Sequence, residues 1–374
     1  MLKSLFNAIL TTPFLLLNYC YAVTNTTSLS DQEIQKAIIL PKGFVISIFA
    51  ENLDKPRSLA LGKNGTVFVG TRENSVYALV DKDKNGKADK VYKIAEGLFS
   101  PNGVAFRNGS LYVGEVNRII RFDNIESKLD NHPKPITVFD KLPSETHHGW
   151  KYIAFGPDGK LYIPIGAPCN ICKKDDERFS TITRINPDGS NFEIFSKGIR
   201  NSVGFDWNPN NKELYFTDNG RDWLGDNMPN DELNRAYKKG LDFGYPYCHS
   251  GFISDPEFGN QKPCSSFEKP AMNLGAHIAP LGMKFYTGNK FPKKYHNQIF
   301  ISEHGSWNKT NPDGYRITNV FLENGKATKY EVFAEGWLKN KNVLGRPVDI
   351  LNMPDGSILV SDDFANKIYK ISYK

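Results

Sequence analysis

Histidine and arginine side chains stand at a fixed distance ahead of turn sequences in this chain. The second histidine of His147-His148 lies eight residues before Gly156, and Arg346 lies eight residues before Pro354. The pair Arg200-Asn201 occupies an equivalent position ahead of another turn. Histidine can serve as a general base, and arginine can hold an anion through paired hydrogen bonds. These residues predict a ligand site, although a structural histidine pair and arginines in surface ion pairs would fit the same pattern.

A repeated unit, a polar turn followed by an apolar strand, must position these side chains. The turns are rich in Gly, Asp and Asn, and the aromatic or aliphatic residue at the centre of each following strand falls at positions 68, 112, 162, 215, 300 and 359. Several copies continue into a second strand with alternating apolar and polar residues. Such repeats are typical of β-propeller blades. Six copies predict an all-β fold, a six-bladed β-propeller, whose residues ahead of the turns converge on one mouth of the central channel.

The composition agrees with a fold of many short strands. The 374 residues include 31 Gly, 22 Pro, 25 Phe and 17 Tyr, which favours strands and turns over long helices. The net charge of +6 is too dilute to indicate a nucleic-acid partner. We expect a single propeller domain over residues 23–374, with a long loop insertion at about 218–275, where the strand pattern is weak.

The N-terminal segment has the features of an export signal. A positive end at Met1 to Lys3 precedes the apolar stretch Leu5 to Leu17, which is too short to cross a bilayer as a helix, and Ala22 offers a small residue for cleavage. Residues 1–22 therefore predict a secretory signal peptide and a periplasmic or secreted protein without stable membrane insertion. An uncleaved membrane anchor is the alternative.

Four cysteines follow the predicted signal peptide, an even number that suits two disulfides in an oxidising compartment. Local pairing would join Cys169 to Cys172 and Cys248 to Cys264. A CxxC sequence can also form half of a zinc site or a redox pair, so these alternatives stay open.

The segment Asp81 to Asp89 has the D-x-D-x-N-G order of a calcium loop. Tyr92 stands where an EF-hand needs a bidentate Glu, and no helices are evident on either side. We interpret the segment as a turn between two strands of one blade, with a bound calcium ion as the alternative.

Nine motifs in one order resemble the pyrroloquinoline-quinone-dependent sugar dehydrogenases, of the soluble glucose dehydrogenase and sorbosone dehydrogenase type and especially the latter. They run from about Leu40 to Tyr373 and are Pro101 to Phe106, His147 to Gly149, Phe155 to Gly159, Gly198 to Asn201, Thr217 to Asp222, Asn230 to Asn234, Gly244 to Pro246, Glu303 to Trp307, and Gly345 to Pro347.

The resemblance implies a six-bladed propeller that binds pyrroloquinoline quinone at the channel mouth, with a calcium ion on the quinone. His148 matches the catalytic base, and Arg200 matches the cation at the oxyanion that develops on the cofactor. The implied cofactor-binding residues are Asn102, His147, Arg200, Asn201, His304 and Arg346, and the implied calcium ligands are the backbone carbonyls of Gly220 and Arg221 with Asp231 nearby.

The implied reaction oxidises a sugar or a sugar-derived aldehyde and passes electrons to an acceptor such as a cytochrome or a quinone. Pro101, His147 and Val348 depart from the glucose-oxidising branch, which puts the substrate in doubt but not the base. A calcium-dependent lactonase-type propeller and a binding propeller without cofactor are the alternative functions. The first would hold a metal through side-chain carboxylates and amides, and the second would not need His148, Arg200 and Arg346 together.

Overall fold

The computed structural model describes residues 29–131 and 133–374. Within these residues, six four-stranded antiparallel sheets are arranged as a six-bladed β-propeller, which confirms the predicted fold class. The predicted signal peptide, residues 1–22, lies outside the described residues. Throughout the described part of the chain, none of the helices combines the length and the hydropathy that a membrane span requires.

The first element of the described residues is a short helix, and strands are the main elements after it. The helix α1 (Asp31–Ala37) is capped by Ser30, whose side chain accepts a hydrogen bond from the amide of Glu33 while the Glu33 carboxylate accepts from the Ser30 amide. The strands are β1 (Phe44–Glu51), β2 (Pro56–Leu61), β3 (Val67–Thr71), β4 (Val76–Val80), β5 (Lys90–Ala95), β6 (Gly103–Arg107), β7 (Ser110–Gly114), β8 (Ile119–Phe122), β9 (Ile136–Phe139), β10 (Ala154–Phe155), β11 (Leu161–Ile165), β12 (Thr181–Ile185), β13 (Glu193–Lys197), β14 (Phe205–Trp207), β15 (Leu214–Asp218), β16 (Asn230–Ala236), β17 (Cys248–His249), β18 (Ile253–Ser254), β19 (Met272–Ala276), β20 (Pro280–Phe285), β21 (Ile299–Glu303), β22 (Arg316–Glu323), β23 (Lys326–Ala334), β24 (Leu338–Lys339), β25 (Asn342–Val343), β26 (Pro347–Asn352), β27 (Ile358–Asp362) and β28 (Lys367–Tyr373).

Each blade is a meander of neighbouring strands. The blades are β2 to β5, β6 to β9, β10 to β13, then β14, β15, β16 and β19, then β20 to β23, and finally β26, β27, β28 and β1. The six repeated apolar segments of the sequence are the second strands of the blades: β3, β7, β11, β15, β21 and β27. The first strands lie innermost, where β2 contacts β6 and β26, and β20 contacts β14 and β26.

The ring closes by pairing the two ends of the described chain. Strand β1 is the outermost strand of the last blade and runs antiparallel to β28, with Phe44 opposite Tyr373 and Ile46 opposite Ile371. Phe44 packs edge-to-face on Phe291 with ring centroids 4.7 Å apart. Because the last blade contains strands from both ends of the chain, every blade has its full four strands.

The segment 218–275 is sheet in part, whereas the sequence predicted loops. Strands β16 and β19 lie inside it and complete the fourth blade. The sequence of β16 is mostly polar, but two of its side chains have partners in place: the Asn234 amide nitrogen donates to Glu232 at 2.9 Å, and Arg235 pairs with Glu213 at 2.6 Å. The rest of the segment includes the β17–β18 hairpin.

Both predicted disulfides are present. Cys169 pairs with Cys172, and Cys248 pairs with Cys264 across the segment that contains the β17–β18 hairpin. The zinc and redox-pair alternatives for the CxxC sequence are therefore not needed to explain its cysteines.

Candidate active site

A cavity of about 410 Å³ lies at the end of the propeller where the first strands begin. Its volume is in the range of a site for one small molecule. Arg57 at the start of β2, Ala279 just before β20, and Arg346 just before β26 all line it. The predicted site residues that also line it are His147, His148, Arg200, Asn201, Gly220, Asp231 and His304. The positions ahead of the turns do converge on one mouth of the channel, as the repeat predicted.

His148 is held in a single orientation with one ring nitrogen free. Its backbone φ is 51°, a left-handed conformation that is uncommon for a residue with a side chain. Its Nδ1 donates a hydrogen bond to the carbonyl oxygen of Ala167 at 2.8 Å, which leaves the lone pair on Nε2. A Cβ on Gly166 would lie 2.6 Å from the Cβ of His148, so only glycine leaves room for the imidazole here.

The electrostatic surroundings keep His148 neutral. Burial lowers the pKa of its imidazole well below the usual value of 6.5, and the positive charge of Arg200 acts in the same direction. His147 stacks at a tilt against it, with ring centroids 4.1 Å apart. Burial and Arg200 lower the pKa of His147 as well. A neutral imidazole with a free Nε2 can accept a proton.

Arg200 is fixed by four hydrogen bonds from its guanidinium group. Nε donates to the Asn170 carbonyl at 2.8 Å, Nη1 to the Asn219 carbonyl at 3.1 Å, and Nη2 to the Asn170 side chain at 2.9 Å and to Asp222 at 3.0 Å. Asn170 lies between the cysteines of the Cys169–Cys172 disulfide. This small covalent ring therefore presents two acceptors to the cation.

The Asp218 carboxylate binds the backbone amides of Arg200 and Asn201. Its two carboxylate oxygens accept from the Asn201 amide at 2.7 Å and from the Arg200 amide at 3.0 Å. Burial raises the pKa of Asp218 to about 7. The pKa of the nearby Glu232 is raised as well, by burial and by the charge of Asp218. The turn that carries Arg200 and Asn201 is thus fixed from below.

Arg346 and His304 form a second polar wall of the cavity. Arg346 donates from Nε to the His304 carbonyl at 2.9 Å and from Nη2 to the Gly305 carbonyl at 2.6 Å. His304 donates from Nε2 to Asp363 at 2.7 Å, and Asp363 also pairs with Arg57 at 2.9 Å. Burial lowers the pKa of His304 to about 4 despite this carboxylate, whose own pKa is held well below its usual range by His304 and Arg57.

Asn102 does not line the cavity, contrary to the prediction that it contacts a cofactor. It is completely buried, and its amide accepts from Arg57 Nε at 2.8 Å and donates to the Lys151 carbonyl at 3.0 Å. Asn102 thus positions Arg57, a cavity residue that the motifs did not single out. Arg57 lies at the start of the first strand of its blade, as Arg346 lies just before the first strand of the last blade, and this shared place in the blade is the signal that could have found it.

The predicted calcium ligands are only partly assembled at the cavity. Gly220 and Asp231 line it, and Asp231 accepts from the Gly220 amide at 2.7 Å and from the Ala279 amide at 3.0 Å. Arg221, whose backbone carbonyl was the predicted ligand, is not among the lining residues, and its side chain pairs with Asp255 at 2.6 Å. Asp255 also accepts from His249 at 2.8 Å, so this buried group ties the insertion together.

The cavity wall has more arginine than carboxylate charge. Four arginines line it, and Arg57 and Arg200 are paired with Asp363 and Asp222. Among residues 29–131 and 133–374, no carboxylate lies within ion-pair distance of Arg72 or Arg346. Arg72 instead lies over the Trp150 ring at 4.6 Å, which Arg57 also approaches at 5.7 Å. Such a wall favours an anionic ligand.

Carboxylates gather closely at a different place, the turn between β4 and β5. Among the described residues, Asp81, Asp83 and Asp89 are the one group of at least three acidic, histidine or cysteine side chains whose ligand atoms lie within 4.8 Å of one another. The Asp81 carboxylate accepts from the amides of Asn85 at 3.1 Å and Gly86 at 2.9 Å. The segment therefore forms the predicted turn.

Comparison with known proteins places the chain in a family. The family model described as TrAA12-like matches residues 38–374. The chain belongs to the TrAA12-like family. This TrAA12-like chain is 36% identical over 383 residues to an uncharacterized protein of Borreliella burgdorferi. The alignment covers 98% of this chain and 99% of that protein. The family resemblance predicted from the motifs is confirmed.

Solved structures share the fold of this TrAA12-like protein. The holo form of the pyranose dehydrogenase PQQ domain from Coprinopsis cinerea has a TM-score of 0.77 at 16% identity, over 90% of this chain and 97% of that one. The calcium structure of a Trichoderma reesei enzyme of carbohydrate-active family AA12 has a TM-score of 0.78 at 19% identity. The match covers 93% of this chain and 100% of that one. At these identities the likeness shows the fold.

Proposed function

We propose that this protein is a quinoprotein oxidoreductase that oxidises a sugar or a sugar-derived aldehyde with pyrroloquinoline quinone as the cofactor. The observation that carries the proposal is the pairing of an arginine-rich cavity wall with a neutral, oriented His148. The similarity to the holo pyranose dehydrogenase domain of Coprinopsis cinerea supports it.

The cavity suits an anion with several carboxylates, which pyrroloquinoline quinone is. Arg72 and Arg346 form no ion pair with a carboxylate of the described residues, and Arg200 adds a guanidinium fixed by four hydrogen bonds. Asn201, His147 and His304 would complete the contacts from neighbouring sides. The bound quinone supplies the two-electron acceptor for the oxidation.

His148 would remove the proton of the substrate hydroxyl. Nδ1 is committed to the Ala167 carbonyl, so the proton is accepted at Nε2. Arg200 would stabilise the negative charge that develops on the cofactor side, because a fixed cation in a partly enclosed site is screened less than in water. Its bonds to Asn170 and Asp222 prevent it from reorienting during the reaction.

The turn that contains Gly220 would hold a calcium ion, which would supply a positive charge near the cofactor. The Gly220 carbonyl and the Asp231 carboxylate, both at the cavity, would supply hard oxygen ligands of the kind that calcium prefers, with the Arg221 carbonyl as the third predicted ligand. Asp231 is completely buried and its pKa is raised to about 6 by that burial, which a neighbouring cation would relieve. The calcium structure of the Trichoderma reesei enzyme supports calcium as a cofactor.

The two alternative functions have less support at the cavity. A lactonase-type metal would be held through side-chain carboxylates and amides, and the cavity has both, but the four arginines that line the same wall oppose a metal cation. A binding propeller without cofactor gives no reason to hold His148 in a left-handed conformation beside a fixed Arg200. The proposal also includes export to the periplasm or beyond. It further includes a cytochrome or a quinone as the electron acceptor, and a sorbosone-like or aldose-like substrate specificity.

The test is reconstitution of the purified protein. Adding the quinone together with calcium should give a bound-cofactor absorption spectrum and turnover of sugars with an artificial electron acceptor. Removing calcium with a chelator should abolish both, and nicotinamide cofactors should have no effect. Sugar turnover by quinone-free, metal-stripped protein would contradict the proposal, as would hydrolysis of lactones under the same conditions.

A further inference from the structure

Two tryptophans stand exposed and in contact at the rim of the cavity. Trp223 is 68% exposed and Trp307 is 66% exposed, and their ring centroids lie 5.4 Å apart at an interplanar angle of 88°. Tryptophan is highly buried on average, so two adjacent indoles left in solvent form an apolar patch that marks a binding surface. The perpendicular rings form a corner that we call the tryptophan corner.

The loops that carry the tryptophan corner are fastened to each other by polar contacts. Asn308 donates to Asp222 at 2.8 Å, and the amide of Thr310 donates to Asp226 at 3.2 Å. These bonds join the loop after β15 to the loop after β21 and hold the indoles side by side. The corner is thus prearranged, so a ligand would not need to order it on binding.

Trp223 is held there against its backbone preference. Its φ is 70°, in the left-handed region where a bulky side chain is strained. Strain of this kind persists at binding and active sites because the surrounding structure enforces it. Packing does not explain the conformation, because the strained backbone directs the indole into solvent.

The tryptophan corner is continuous with the cavity. Trp307 lines the cavity with Asp222, Asn308 and His147, whereas Trp223 follows Asp222 and lies outside the lining. A cavity of about 410 Å³ is comparable to one bound small molecule, so a quinone inside it leaves the substrate at the mouth. His148 and Trp307 line the same cavity, so a substrate that reacts at His148 and extends out of the mouth can reach the corner.

We propose that the tryptophan corner is a stacking subsite for a second sugar ring, so that the substrate is a disaccharide or longer oligosaccharide. A pyranose ring has C–H faces that pack on the electron-rich face of an indole, and a rim of hydroxyls. Asp222, Asn308 and His147 offer polar groups at the adjoining wall for that rim. This inference rests on the proposed oxidation of sugars.

The experiment measures sugar binding by calorimetry, with cellobiose, maltose and glucose as probes, on the full chain with and without quinone and calcium. Trp223→Ala should weaken the binding of at least one disaccharide about tenfold while changing glucose affinity less than twofold. Trp223→Phe should restore most of the affinity, because it keeps an aromatic face. Trp307→Ala should weaken both disaccharide and glucose binding, since Trp307 also lines the cavity.

Phe252→Ala is the matched control. Phe252 is 65% exposed on the turn between β17 and β18 and does not line the cavity, so its removal should leave every affinity unchanged. The proposal is wrong if the parent protein binds no disaccharide, if Trp223→Ala leaves disaccharide affinity intact, or if it alters only the KM for the electron acceptor. That last result would assign the corner to acceptor docking.

The titration of quinone separates this inference from the proposed function. If quinone fails to bind while Trp223→Ala still weakens disaccharide binding, the oxidation proposal fails and the subsite stands. If quinone binds and supports turnover but Trp223→Ala leaves disaccharide binding unchanged, the subsite alone fails.

Discussion

The imidazole Nδ1 of His148 and the carbonyl oxygen of Ala167 are 2.8 Å apart and form a hydrogen bond that fixes which ring nitrogen can act as a base. The carbonyl can only accept, so Nδ1 carries the proton and Nε2 keeps its lone pair. The tautomer of the candidate base is therefore set by the main chain and does not depend on a neighbouring carboxylate.

His148→Ala should retain quinone binding while turnover falls by about two to four orders of magnitude, the loss typical of a positioned general base. Quinone titration and steady-state kinetics measure the two effects separately. His147→Ala is the matched control and should lose far less turnover, because its ring does not have the bond to Ala167. If His147→Ala is the inactive variant, the base is the neighbouring histidine, and unchanged turnover in both variants would show that neither histidine is the base.

The pKa of His148 should be lower than that of an ordinary histidine. Burial and the cations nearby oppose the imidazolium form, so the ring should stay neutral as the pH falls through 6.5 and protonate only well below it. NMR of the quinone-free protein, with the signal assigned by its loss in His148→Gln, measures this directly. A His148 pKa at or above 6.5 would contradict the account of its surroundings.

Arg200→Ala should damage both quinone affinity and turnover, because one cation serves both. The comparison with Asp222→Asn makes the test sharper. That change keeps Arg200 but removes a negative charge 3.0 Å from its guanidinium, so the wall becomes more positive and quinone affinity should hold or rise. Equal losses of affinity in the two variants would indicate that Arg200 acts only as a structural partner of Asp222.

The Cys169–Cys172 disulfide should influence the cofactor site through Asn170. Replacing both cysteines with serine frees the ring that presents Asn170 to Arg200, and we expect quinone affinity to fall several-fold. The control is the equivalent double replacement of Cys248 and Cys264, which should cost about 3 kcal/mol of stability by the loop-entropy relation but leave quinone affinity closer to the parent value. If each double replacement lowers stability without changing quinone affinity, the Cys169–Cys172 disulfide has no positioning role.

Lys151 should make the stability of the fold depend on pH. It is completely buried, and burial lowers its pKa from 10.5 to about 7. The unfolded chain therefore binds more protons than the folded one between these values, and the free energy of unfolding should rise with pH across that window, by up to about 5 kcal/mol.

Denaturant titrations from pH 6.5 to 9.5 check the effect of Lys151. Lys151→Met should flatten the rise, whereas Lys63→Met, at an exposed position, should leave it in place. The same slope in the parent and in Lys151→Met would show that other groups cause the pH dependence.

The blades were predictable because each is local in sequence. A turn followed by an apolar strand recurs for every blade, and Phe68, Tyr112 and Tyr162 each mark a second strand. The closure of the ring was not predicted, because pairing Phe44 with Tyr373 joins residues with no local relationship. Strand β16 was missed because its polar sequence lacks the apolar periodicity of a strand, and its burial depends on partners elsewhere, such as Glu213 for Arg235.

The site was predictable where one residue type at a fixed spacing carried the signal, as at His148 and Arg346. Asn102 does not line the cavity as predicted, because a position at the start of a blade can face the packed interior. Its side-chain oxygen there accepts a hydrogen bond from Arg57. Trp223 was missed because it has no repeated position. It reaches the cavity rim only through contacts between two loops that are distant in sequence.

Ring closure by β1 has a consequence for how the protein is made. Among the described residues, β1 precedes every other strand and its partner β28 follows every other strand. A chain made from its N-terminus therefore has β1 without this partner until β28 has been synthesised, and an unpaired strand edge favours aggregation. A chain cut short before β28 would keep that edge unpaired, so the loss of β28 would favour aggregation even with every cavity residue present.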